Sequence, residues 1–212
     1  MITTALRRFS ALCVLSSAVL AWSGCSLLPA PKSDPTRYYV LTGQSLELAQ
    51  PAKAGNGLVL GVKRIEIAAY LNGKDMVVRA AGNEIAYQSF ARWAEPLTVS
   101  MSRAISGRLA SADKVARVYP QPFPFEVERD YDVAIRVFRC EGERKTDGAT
   151  VASFSALVEV TEAKTGGAVV MRKVFVASPV NWDGKDFGAL AAALSEDVAA
   201  LGAEVVAALP AK

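Results

Sequence analysis

The stretch Tyr131–Val176, YDVAIRVFRCEGERKTDGATVASFSALVEVTEAKTGGAVVMRKVFV, decides the fold. Tyr131, Val133, Ile135 and Val137 recur at every second position, so Tyr131–Arg139 reads as a strand with one apolar face. In Thr150–Val160, Ala152, Phe154, Ala156, Val158 and Val160 share a face opposite Ser153, Ser155 and Glu159. Val169–Val176 follows through the turn residues Lys164-Thr165-Gly166-Gly167. Consecutive alternating strands joined by short connections predict an antiparallel meander with one face covered by helices.

Working outward, the period changes to that of a helix on both sides. Upstream, Leu97, Met101, Ala104, Ile105 and Leu109 lie at helical spacing behind Glu95-Pro96, with Arg103 and Arg108 off that stripe. Pro96 suits a first helical turn, where its missing N–H costs nothing, and Glu95 complements the helix dipole. Downstream, Asp186–Leu209 carries the stripe Phe187, Leu190, Leu194, Val198, Leu201 and Val205. Its far side, with Ala189, Ala192, Ala199, Ala203 and Ala207 around Glu196, reads as good helix-forming surface or as a second contact face for a subunit or partner. Earlier, Tyr38–Leu41 and Leu58–Ile67 read as strands, residues 44–57 as a loop, and Asp75–Arg79 with Glu84–Gln88 as a hairpin turning at Ala81-Gly82-Asn83. The expectation is an α+β domain, with an antiparallel or mixed β-sheet and two main helices packed on it, in a single domain.

The first 36 residues read differently. Arg7 and Arg8 precede an apolar run, Phe9–Trp22, of only about 14 residues, against the roughly 20 that a spanning helix needs. Ser23-Gly24-Cys25-Ser26 closes it as a lipoprotein processing site would, although Trp22 stands where leucine is usual. Residues 1–24 are therefore expected to be a lipoprotein signal peptide. Residues 25–36 then hold a lipidated Cys25 and a tether with Pro29, Pro31 and Pro35, and residues 37–212 the globular domain. More than one acyl chain on Cys25 makes the anchor stable. Extended as polyproline, the eleven residues after Cys25 reach about 30 Å.

Composition excludes several classes of function. The chain of 212 residues has 24 basic and 21 acidic residues, and loss of Arg7 and Arg8 leaves 22 against 21. That balance is no footprint for nucleic acid or a polybasic membrane patch. There is no histidine, which removes His-based acid–base and triad chemistry and the usual zinc ligands. Gly55, Gly57 and Gly61 precede and enter a strand, the wrong context for a phosphate loop. No cofactor or metal is expected. After processing, Cys140 is a lone thiol expected to be buried. A hydrolase would need a Ser-Lys or paired-carboxylate arrangement in place of histidine, and for Ser153 or Ser155 with Lys173 the spacing supports nothing.

Two further stretches stand out. Val62-Lys63-Arg64-Ile65-Glu66-Ile67-Ala68-Ala69-Tyr70-Leu71 is followed by Met76-Val77-Val78-Arg79, and later comes Arg92-Trp93-Ala94-Glu95-Pro96-Leu97. With Tyr38-Tyr39-Val40-Leu41 and the lipidated start, this order resembles the ABC-type transport auxiliary lipoproteins of the PqiC/YmbA type. A departure lies at Ala68-Ala69-Tyr70, where proline often precedes the Tyr-Leu pair. The resemblance implies a non-catalytic lipoprotein on the periplasmic face of the outer membrane, a position with which Ser26 after the cysteine agrees. It also implies a periplasm-spanning partner with MCE (mammalian cell entry) domains, PqiB-like, in a system that moves lipids between membranes or maintains envelope integrity. Trp93 then has two readings: packing beneath the helix start or, together with Tyr70 and Leu71, an exposed anchor for that partner. Arg64 and Arg79 read as solvated strand-edge charges. An alternative function is a domain that itself cradles a lipid between sheet and helices, and the alanine face admits a homo-oligomer.

Overall fold

The computed structural model describes residues 33–43, 57–80 and 83–210. Residues Thr36–Lys212 form one compact unit. Cys25, the signal segment, most of the tether, most of the 44–57 loop and the Ala81-Gly82 turn lie outside the described residues.

The meander is present and longer than its alternation. Strand β7 (Tyr131–Arg144) pairs antiparallel with β8 (Thr150–Glu162) along its whole length, and β8 pairs antiparallel with β9 (Val169–Val176). Gly166 and Gly167, at φ 76° and 94°, supply the left-handed conformations that the β8–β9 turn requires. The other edge of β7 is shared end to end by three parallel strands, β2 (Leu58–Val62), β3 (Glu66–Ile67) and β4 (Asp75–Arg79). From there the sheet forks. β2 carries the parallel β6 (Val115–Pro120), while β4 carries the antiparallel β5 (Ile85–Trp93) and, beyond it, the parallel β1 (Arg37–Tyr39). The two-residue β10 (Val180–Asn181) pairs with the start of β8. The sheet is thus mixed: the helix Leu97–Ala110 between β5 and β6 lets the chain return in parallel, which strand alternation alone does not reveal.

Two details depart from the expected strands. Leu58–Ile67 is not one strand: Lys63 N–H still donates to Val133 O at 2.9 Å, but the ladder to β7 is then interrupted before β3, and Ile65 lies in the core. β7 continues beyond Arg139 because the register slips between Val137 and Arg139, leaving Phe138 as a bulge. Val133, Ile135 and Val137 face the helices before the bulge, Cys140 and Gly142 after it. The phase of a strand of period two is therefore inverted halfway along. A Cβ at Gly142 would lie 2.8 Å from the Trp182 ring, so this inward position has room for glycine alone.

Helices α1 (Leu97–Ala110) and α2 (Phe187–Ala208) cover that face. The expected stripes are the buried ones: Met101 and Leu109 on α1, and Leu190, Leu194, Val198, Leu201 and Val205 on α2, are each 0% exposed. Each such side chain contributes roughly 1.5–3 kcal/mol of gross burial free energy. Asp186 caps α2, its carboxylate accepting from Gly188 N and Ala189 N at 2.8 and 3.2 Å. Pro96 is the residue before α1 rather than inside its first turn. Past β1, Leu41 enters the core and Thr42 N–H donates to Ser195 Oγ at 2.9 Å, which ties the first strand to α2. Among the described residues, no helix is long and apolar enough to cross a membrane.

Candidate partner-binding surface

The expected anchors separate into two corners, and both turn inward. Trp93 ends β5 and is 4% exposed; Leu71, at the end of a 3-10 turn (Ala69–Leu71), is 3% exposed. Both belong to the core, so neither offers a side chain to a partner in this structure. The apolar surface of a tryptophan and a leucine stabilises the fold most when it is removed from water, and the strand end and the turn deliver it there.

Beside Trp93, Glu95 binds the second turn of α1 instead of acting on the helix dipole alone. It accepts from Ser100 Oγ at 2.7 Å and forms a two-pronged pair with Arg103, one arm at 3.0 Å. Arg103, and then Ser100, hold its carboxyl below the ordinary glutamate range. The Trp-Ala-Glu-Pro-Leu block is thus a strand-to-helix corner.

Tyr70 is half-buried, and its hydroxyl is occupied. It donates to Phe138 O at 3.0 Å, the carbonyl of the bulged residue, and accepts from Arg79 Nη2 at 3.3 Å. Arg79 is not a solvated edge charge: its Nε lies 2.7 Å from Glu141 Oε1, and its guanidinium sits over the Tyr70 ring. Arg139 Nε reaches the same oxygen at 3.0 Å. The Glu141 side chain is fully buried, and Oε2 has no hydrogen-bond partner among the described residues. Burial first, and then Glu141, push the Tyr70 phenol up to about 12, so it stays a donor to the bulge. Arg64, by contrast, is exposed as expected.

Glu141 and Arg139 organise this corner, yet neither stands out in the sequence. Their alternation is legible only once the bulge is known, and the one cue is the shift from odd apolar positions to Cys140 and Gly142. Cys140 is buried as expected. Burial first, then Asp197 and Glu141, raise its thiol well above the ordinary range, so it remains protonated. Ser153 and Ser155 do not meet Lys173: Ser155 pairs with Val176 on the open face, whereas Lys173 lies on the helix side with Glu204 at 2.5 Å.

The face of β7, β8 and β9 away from the helices is open. It holds a shallow groove of about 390 Å³ between residues 63–66 and the strands, with Ala134 and Leu157 in its floor. Glu66–Arg136 at 2.6 Å and Glu159–Arg172 at 3.4 Å pair within it. Lys63 and Arg64 line it, and among the described residues neither has a carboxylate within 4 Å. Next to it, β9 ends the sheet with Val169, Val170, Val174 and Val176 between 41% and 69% exposed.

The model of the ABC-type transport auxiliary lipoprotein component matches residues 39–206. The chain belongs to this family. Its motif residues Tyr70, Arg79, Trp93 and Glu95 are therefore, in this member of the ABC-type transport auxiliary lipoproteins, the pins of two corners. A Xanthomonas campestris protein of the DUF330 family is similar in structure, with a TM-score of 0.66 and 21% identity over 81% of this chain and 93% of its own. A second crystal structure, of an uncharacterized protein, gives 0.60 and 17% identity over 81% and 97%. Both show the fold alone. No curated protein matches the sequence.

Proposed function

We propose that the protein is a non-catalytic lipoprotein subunit of an MCE-type system for intermembrane lipid transport or envelope integrity. It is held at the periplasmic face of the outer membrane by acyl chains on Cys25 and acts by contact with a PqiB-like protein that spans the periplasm. Membership of the transport auxiliary lipoprotein family over residues 39–206 is the observation that carries this reading. The chemistry of the buried groups agrees with it. Glu141 is consumed by two arginines, the Cys140 thiol is kept protonated, and Tyr70 is engaged in holding a bulge. These are the uses of a scaffold.

Crosslinked pull-down of the tagged protein from envelopes, read by mass spectrometry, tests the partner. Recovery of an MCE-domain protein is expected, and recovery of unrelated assembly machinery alone sinks the reading. A Cys25→Ala variant is expected to fold and to lose membrane retention; unchanged retention removes the anchor from the account.

The second reading, direct lipid binding, moves to a different place. The space between sheet and helices is filled by side chains such as Phe154, Val158, Leu194 and Leu201, each at most 1% exposed, so the cradle expected there is closed. The open groove beside Lys63 and Arg64 favours a headgroup-sized anion instead. Native mass spectrometry of the processed protein distinguishes the two readings, since a lipid adduct lost on Lys63→Glu/Arg64→Glu supports direct binding.

A further inference from the structure

β9 is an eight-residue edge strand without proline or glycine, and among the described residues it pairs only with β8. Four exposed valines on such an edge form a template for another strand, which natural sheets shorten, bend or charge. Here the strand is long, and its only charges are Arg172 and Lys173 at the centre. The hydrogen-bond phase fixes what the edge offers. Ala177 N–H donates to Phe154 O at 3.1 Å, so by alternation Phe175 and Lys173 bond to β8, while Val176, Val174 and Arg172 direct N–H and C=O groups outward.

We propose that this edge is a docking strand that adds an extended segment of a different polypeptide, centred on carboxylates and otherwise apolar, to the sheet. A second copy of this chain does not fit. Any antiparallel pairing of β9 with itself about its centre sets Arg172 against Arg172, Lys173 against Lys173, or Arg172 against Lys173, and like charges directly opposite are destabilising. The strands that end the other side of the sheet, β1 and β6, carry Arg37 and Arg117 and no carboxylate, so β9 of one copy meets a cation there too. A glutamate or aspartate opposite Arg172 reverses the sign of that term, and the valines on either side take apolar side chains at alternate positions. Arg172 already holds Glu159 on its inner side at 3.4 Å, and its 65% exposed side chain leaves the outer side accessible.

The inference rests on reading the protein as a subunit that acts by contact, and it names the contact. The test uses the full processed protein in non-ionic detergent, with amide hydrogen exchange at Arg172, Val174 and Val176 as the readout. The probes are two blocked eight-residue peptides of valine and threonine, one with two central glutamates and one with two central lysines. At a concentration near ten times its Kd, the glutamate peptide is expected to slow exchange at these amides by about tenfold, and the lysine peptide to leave it unchanged. Val174→Pro removes an outward N–H without touching the β8 ladder and is expected to abolish the effect. Val174→Thr retains the N–H and is expected to preserve it. Equal protection by both peptides, no protection by either, or protection without peptide that grows with protein concentration overturns the proposal, the last because a second copy then covers the edge. Pull-down of an MCE protein that survives Val174→Pro leaves the functional reading standing and removes only this edge from it.

Discussion

The two sides of β7 bury one carboxylate each and treat it in opposite ways. On the open side, Glu141 is held by Arg79 and Arg139 beneath Tyr70. On the helix side, Asp197 of α2 is 7% exposed, its Oδ2 has no hydrogen-bond partner among the described residues, and its charge acts on the Cys140 thiol. Burial, and then neighbouring Glu196, raise Asp197 to about 6. A buried charge costs little when its counter-charges arrive with it and much when they do not. The Glu141 side therefore supplies its carboxylate with counter-charges, whereas the Asp197 side supplies none among the described residues and favours the protonated form.

Removing Glu141 breaks the first half of the comparison and has the largest expected effect. Glu141→Ala leaves two guanidiniums converging on a vacated position, and losing one partner of a buried pair costs 3–5 kcal/mol. The arginines are 23% and 30% exposed, which sets the expectation near the lower bound, about 3 kcal/mol in urea unfolding. A loss under about 1 kcal/mol would equate the cluster with a screened surface pair.

Asp197→Asn tests the other half and has the opposite sign. A carboxyl whose folded pKa is raised from the ordinary aspartate value to about 6 stabilises fully below the lower value and loses that stabilisation as pH rises through the higher. Wild-type stability is expected to fall between pH 4 and pH 7, and Asp197→Asn to flatten that slope and gain about 1–3 kcal/mol at pH 7. A wild type with no slope in this window would show that Asp197 is well solvated.

Much of this was legible in the sequence, and the limit has a physical cause. Period two located β7, β8 and β9, and period 3.6 located the buried stripes of both helices, because each depends only on neighbours along the chain. The bulge at Phe138 sits in long-range surroundings, its carbonyl accepting from a hydroxyl 68 residues upstream, so the inward turn of Cys140 and the burial of Glu141 could not be read from alternation. The burial of Trp93 and Leu71 could not be read from the motif for a related reason. A local motif marks where the chain turns and leaves undetermined which side of the turn the core occupies.

Tyr70→Phe separates the bulge from the ion cluster. It keeps the ring against Arg79 and removes the hydroxyl that donates to Phe138 O, at an expected cost of about 1 kcal/mol. Faster amide exchange confined to residues near Phe138 is the accompanying signature. A change spread over all of β7 would mean that the bulge is held by strand pairing and not by the phenol.

Glu95 gives the comparison its third, most exposed member and its smallest expected effect. Its side chain is 26% exposed and that of Arg103 42%, so water screens the pair that fastens Trp93's corner to α1. Glu95→Gln is expected to cost about 0.2–1 kcal/mol, less at high salt. The pH sign is opposite to that of Asp197: with the folded pKa lowered, the stabilisation is present above the ordinary glutamate value and is lost as pH falls through the folded one. Acid titration of the Asp197→Asn background isolates it, since the Asp197 slope is then absent. If Glu95→Gln leaves the acid limb of that background unchanged, the corner is held by Trp93 packing alone, and the charges around it serve solubility and not the fold.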